Sequence, residues 1–145
     1  MKKFEFSMEK VLEMRRFEQK QAEIELGKAN SEISHIQNEL KKIAESHAKA
    51  NSACSPEADI YSRYNLQNYV LLLEKKKETF LEELVQAQMV AEEKRKVVQK
   101  AMANVKVLEK LRENKFIQWK KETEKSQEEE IDDIVMSKIS LSENS

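Results

Sequence analysis

Glycine and proline are almost missing from this chain of 145 residues. Each occurs once, as Gly27 and Pro56. A sheet protein of this size needs many tight turns, and tight turns draw on Gly and Pro for their dihedrals. Two such residues exclude a β-rich fold. A single glycine also excludes the glycine-rich loops through which backbone amides approach nucleotide phosphates, so neither a P-loop enzyme nor a dinucleotide-binding enzyme fits. The one cysteine, Cys54, can form no intramolecular disulfide, which suits a reducing compartment. No apolar run approaches the ~20 residues that span a bilayer. The opening "MKKFEFSMEK" carries Glu5 and Glu9 and lacks the apolar stretch of a signal peptide. A soluble, cytoplasmic protein is expected. Charge of one sign is lacking too: 26 Lys and Arg stand against 27 Asp and Glu. A nucleic-acid binder would carry a marked basic excess.

What the chain has instead is charge, at 37% of residues, and a Glu, Lys, Ala, Leu bias typical of long helices and coiled coils. A spacing of alternately three and four residues runs through a first arm, about 4–50. It follows Met8, Leu12, Arg15, Gln19, Ala22, Leu26, Ala29, Ile33, Ile36, Leu40, Ile43, His47 and Ala50. A second arm, about 56–121, repeats it through Leu66, Val70, Leu73, Lys77, Phe80, Leu84, Ala87, Ala91, Lys94, Val98, Ala101, Val105 and Leu108. Such spacing marks a coiled-coil seam, from which the lysines can snorkel to solvent. Phe4, Phe6, Val11, Met14 and Phe17 add apolar surface off the seam, for a second neighbour or a docked partner.

The arms are separated by a bend, "NSACSPEAD", at 51–59. Pro56 cannot donate a backbone hydrogen bond, and it disfavours helix at Ser55. The spacing predicts a new helix that starts at Pro56, with Ser55 as its cap and Glu57 and Asp59 in its first turn. The expected fold is all-α: a long antiparallel two-helix coiled-coil hairpin over 1–121, each arm roughly 70–90 Å long. Pairing outward from the bend leaves Val105 to Lys121 as an overhang. An acidic, serine-rich tail over 122–145 is expected to be largely disordered, apart from a possible short helix over Ile131 to Ile139.

Catalytic chemistry finds little support. His35 and Glu39 lie four apart on one helix, but a catalytic zinc needs three protein ligands in a shielded cavity. "EISH", Glu32 to His35, matches half of a di-iron motif, and no second copy exists. Cys54 and His47 lack the oxyanion hole and orienting group of a nucleophilic site. Gly27 either marks a kink or close helix approach, or is tolerated in a long helix. No enzyme activity, cofactor or metal is expected.

Two features point to partners. The stretch 92–121 holds ten basic and four acidic residues, and 122–145 holds eight acids and two lysines. This reversal suits an electrostatic contact, self-shielding or a solvated face. The second feature is "QNYVLLLEKKK", Gln67 to Lys77, with five bulky apolar residues in a row. One seam hides only Val70 and Leu73. Tyr69 and Leu72 flank it, and Leu71 lies about 200° around from Tyr69. Exposed apolar side chains near a helix end suit a docking site.

The opening "KKFEFSMEKVLEMRRFEQKQAEIELGKA" resembles that of the flagellar FliJ family. Phe4, Phe6, Met8, Val11, Leu12 and Arg15 realise an F-x-F-x-[ML]-x-x-V-L-x-x-R pattern, and the two-arm plan agrees along essentially the whole chain. The resemblance implies an antiparallel coiled coil like the central stalk of rotary ATPases. It implies a non-enzymatic export chaperone of the bacterial flagellar type III apparatus. Its implied partners are the export ATPase FliI, as a hexamer, the membrane export gate protein FlhA, and substrate-specific export chaperones. Membrane association would then be peripheral, through those partners.

The family's gate-binding segment maps an aromatic to Tyr69, a leucine to Leu73 and a ring to Phe80, with Lys76 where the family has a small residue. Tyr69, Leu73 and Phe80 lie within about 40° on a helix, and Leu72 joins them as a gate candidate. Leu73 and Phe80 are also seam positions. For the ATPase ring the candidates are the chain ends and the basic stretch: Lys94, Arg95, Lys100, Lys110, Arg112, Lys115 and Trp119. Two other readings compete. One is a purely structural parallel coiled-coil dimer, against which Pro56 speaks. The other is a hairpin whose acidic tip, at Glu57 and Asp59, enters a polymerase channel.

Overall fold

A computed structural model describes residues 2–53 and 55–143. It contains two helices, α1 (Glu9–Ser52) and α2 (Ile60–Glu143), and no strand among the described residues. Between Pro56 and the end of α2 there is neither glycine nor proline to interrupt the helix, and Ala, Leu, Glu, Lys and Gln dominate its sequence. The connection turns the chain back, so that α1 packs against α2 of the same molecule. The fold is the expected all-α antiparallel hairpin, and a continuous rod through Pro56 does not form.

The bend is organised differently from the expected capped helix. Ser55, Pro56, Glu57 and Ala58 form a turn closed by the Ala58 amide donating to the Ser55 carbonyl at 3.1 Å, and the Ser55 hydroxyl accepts from the Glu57 amide at 3.2 Å. Pro56 occupies the second turn position, for which its fixed φ is equally suited. The cap of α2 is Asp59, whose Oδ1 accepts from the Ser62 amide at 2.7 Å. At the other side of the bend, Ser52 donates to the Lys49 carbonyl at 3.0 Å and closes α1. Cys54 lies outside the described residues.

The chain divides into two compact units. In the unit Gln19–Lys100, the buried side chains are Ala22, Ile36, Ile43 and Ala50 from α1 with Leu73, Ala91 and Val98 from α2. All lie on the expected seam. Ile36 is the largest of them fully out of water, at 1% exposure. The intervening seam positions, His47 and Lys94 included, are half-buried, whereas Lys77 stands in solvent. A Cβ built on Gly27 meets nothing within 4 Å, so this glycine serves no close helix approach.

The second unit joins Met1–Glu18 to Ala101–Ser145. Its core is Leu12 with Val105 and Leu108, and Phe6, Val11 and Leu111 pack around it. Two ion pairs link the helices here, Arg16 with Glu109 at 3.3 Å and Glu9 with Arg112 at 2.9 Å. Both are exposed, so they contribute little stability and mainly fix the pairing of the helices. Beyond them, Phe4 sits edge-on to Phe116 with centroids 5.3 Å apart and tilted against Trp119 at 5.9 Å. Arg112 lies over the Phe4 ring at 5.5 Å.

This unit corrects two expectations. Val105 to Lys121 is no overhang, because Val105 and Leu108 are buried under Leu12. The extended segment before α1 lengthens the first arm and carries Phe4 out to Phe116 and Trp119. The tail is not irregular either: α2 continues to Glu143 and takes in the expected short helix over Ile131 to Ile139. Strong helix formers propagate an existing helix even without tertiary support. Ile131, Ile134, Val135 and Ile139 are all exposed. Met14 and Phe17 also remain exposed, whereas Phe6 and Val11 join the core.

Candidate partner-binding site

The apolar run at Tyr69 to Leu73 divides by helix face. Leu73 is buried at 6% exposure, whereas Tyr69, Leu71 and Leu72 remain 44%, 48% and 50% exposed. A helix covered along one seam leaves such residues in water, since consecutive side chains point 100° apart. Tyr69, Leu72, Leu73 and Phe80 all line one groove of about 540 Å³ between α1 and α2 of the unit Gln19–Lys100. Ile43 and Ser46 supply its α1 side, and Lys42, Lys75 and Lys76 stand at its rim. The structure thus brings together all four residues proposed from the sequence for the gate contact. Lys76 lines the same groove. Leu71, equally exposed, does not line it.

Next to this groove, sharing Thr79 and Glu83 with it, lies a second one of about 800 Å³, lined by Glu32, Ile36, Glu82, Gln86, Ala87 and Val90. A third groove, of about 490 Å³, includes Leu40, His47, Lys77 and Leu81 in its lining. His47 sits beside the Asn51 amide, Nδ1 to Nδ2 3.2 Å, and His35 is exposed. No three His, Cys, Asp or Glu side chains converge as a metal site among the described residues.

The basic candidates fall in both units. In Gln19–Lys100, Lys94 is half-buried on the seam, Arg95 is paired with Glu92 on the same helix, and Lys100 is exposed. In the other unit, Lys110 and Lys115 are exposed, and Arg112 is engaged by Glu9 and Phe4. Trp119 is half-buried in the aromatic cluster. Two members of this set, Arg112 and Trp119, therefore hold the terminal unit together. Sequence reasoning assigned Phe4 and Trp119 separate roles, one in the opening pattern and one among the ring candidates. It missed that they meet, because periodicity within one helix gives no pairing between segments so far apart.

The Ser62 backbone amide, and then its side chain, hold the Asp59 carboxyl below its ordinary value by hydrogen bonding to the charged form. No helix among the described residues is long and apolar enough to cross a membrane.

A family model, described as the flagellar FliJ protein, matches residues 4–144. No curated protein and no solved structure matches the chain. The match takes in both helices, the bend, the aromatic cluster and the groove at Tyr69, and the chain belongs to the FliJ family of flagellar export apparatus components.

Proposed function

We propose that the protein is a non-enzymatic factor of flagellar type III export that docks the export gate protein FlhA in the Tyr69 groove and engages the FliI ATPase ring through its basic stretch. The observation that carries the gate assignment is the convergence of Tyr69, Leu72, Leu73 and Phe80 on one open, apolar-floored groove. Leu73 anchors the floor through the core, while Tyr69 and Leu72 offer half their surface to a partner. A groove between two helices receives an amphipathic helix through its apolar face, and the rim charges set specificity. Arg112 and Arg95 are already paired, so Lys110 and Lys115, exposed and without an ion-pair partner among the described residues, are assigned to the ring.

In this role the protein acts by contact rather than by chemistry, as a helical escort between ATPase, gate and emptied export chaperones. Association with the membrane comes through those partners. Co-purification from cells tests the reading. The wild-type chain recovers FliI and FlhA, Leu72→Ala recovers FliI but little FlhA, and Lys110→Glu with Lys115→Glu recovers FlhA but little FliI. Recovery of neither partner by the wild-type chain contradicts it.

A further inference from the structure

The two grooves that share Thr79 and Glu83 form one path along the unit Gln19–Lys100, from Tyr69 to Val90 on α2. At 1.5 Å per residue this path is roughly 32 Å long, which matches a helix of about 20 residues. Its floor is apolar throughout: Tyr69, Leu72 and Phe80 in one half, Ile36, Ala87 and Val90 in the other. Its rim changes sign along its length. At the Tyr69 end, Lys42 is satisfied by Glu39 at 3.2 Å, which leaves Lys75 and Lys76 without an acidic partner among the described residues, and Glu83 stands where this groove meets the next. At the Val90 end, Glu32, Glu82 and Glu83 have no cationic partner among the described residues. About 10 Å of helix separates Lys75 from Glu82, close to the screening length at ordinary ionic strength, so an occupant meets two distinguishable fields.

We infer that the occupant of this path is a single amphipathic helix of a protein partner with split charge, acidic where it meets Lys75 and Lys76 and basic where it meets Glu32, Glu82 and Glu83. This rests on the docking role proposed for the Tyr69 groove and extends it to the Val90 end, fixing the direction in which the partner lies. The tail of a second copy is a poor occupant: its exposed apolar stripe, Ile131 to Ile139, lies among eight acids and two lysines, which would set like charge against Glu82 and Glu83. A second copy that offers another face is an outcome of the test below.

The test uses the full chain and two fluorescent helical peptides of about 20 residues with the same composition and the same leucine face. One carries glutamates in one half and lysines in the other; the second mixes them evenly. The split peptide is expected to bind about tenfold tighter, and Glu82→Lys with Glu83→Lys is expected to erase that preference. Equal binding of the two peptides, or a preference that survives the double substitution, overturns the inference. So does a concentration-dependent dimer of the wild-type chain that Leu72→Glu abolishes, because a second copy then fills the groove. Both substituted glutamates are exposed, and a circular dichroism melt matching wild type confirms that the variant is folded. Titration with FlhA in parallel separates this inference from the role on which it rests. Loss of FlhA binding in Leu72→Ala together with equal peptide binding overturns the inference alone. Peptide discrimination with FlhA binding untouched by Leu72→Ala supports the inference and removes the gate assignment.

Discussion

Phe4 and Phe116 meet edge to face with ring centroids 5.3 Å apart, and Trp119 closes the cluster at 5.8 Å from Phe116. Through this contact a segment without regular structure becomes part of the terminal unit. Trp119 is the only tryptophan in the chain, so its emission reports on Phe4 directly. Phe4→Ala should shift that emission to longer wavelength and lower stability by about 1 kcal/mol. An unchanged spectrum would mean that Phe4 does not cover Trp119 in solution.

Burial separates side chains that composition cannot. Ile36 is at 1% exposure and Leu71 at 48%, yet both are bulky aliphatics in charged surroundings. Ile36→Ala should cost about 2–4 kcal/mol through lost burial and the cavity left behind. Leu71→Ala should stay within about 0.5 kcal/mol. Urea midpoints at constant slope provide the comparison.

Gly27 lies inside α1 with open space where a Cβ would stand. Gly27→Ala should therefore stabilise the protein, by up to about 1 kcal/mol, by restricting the unfolded chain and favouring helix. A lowered melting temperature would reveal a role for the glycine that its surroundings do not show.

The cap at Asp59 gives a pH dependence with a definite sign. Its folded pKa is depressed by the Ser62 amide, so the charged form is the one the fold prefers. The contribution is fully present above the unfolded pKa and is lost as pH falls through the lower, folded pKa. Asp59→Asn, which keeps a capping oxygen but no charge, should flatten that part of the acid titration of stability. An acid limb identical to that of wild type would exclude Asp59 as its source.

The seam was legible because it depends on one repeated spacing. Leu12, Ala22, Ile36, Ile43 and Ala50 on α1, and Leu73, Ala91, Val98, Ala101, Val105 and Leu108 on α2, are buried where the 3-4 pattern puts them. Tyr69, Leu73 and Phe80 are gate candidates through the family resemblance, with Leu72 beside them; helix geometry adds only that such positions share one side of α2, and all four line one groove. The helix start was not legible. Pro56 suits both a first helical turn and a tight turn, and the choice falls to Asp59, which caps better three residues on. The tail was misread because acidic, serine-rich composition suggests disorder, while the absence of glycine and proline lets the helix run on to Glu143. The Glu9–Arg112 pair and the Phe4 cluster were illegible because they depend on the offset between the arms, which the bend sets and periodicity does not.

Leu71 supplies an internal control for the groove at Tyr69. Leu71 and Leu72 are adjacent, identical in type and equally exposed, but only Leu72 lines the groove. The most direct measurement is the affinity of the purified chain for FlhA, wild type against Tyr69→Ala with Leu72→Ala and against Leu71→Ala. A loss of about tenfold or more is expected for the double variant and less than about twofold for Leu71→Ala. Equal losses for both variants, or none for either, would contradict the gate assignment.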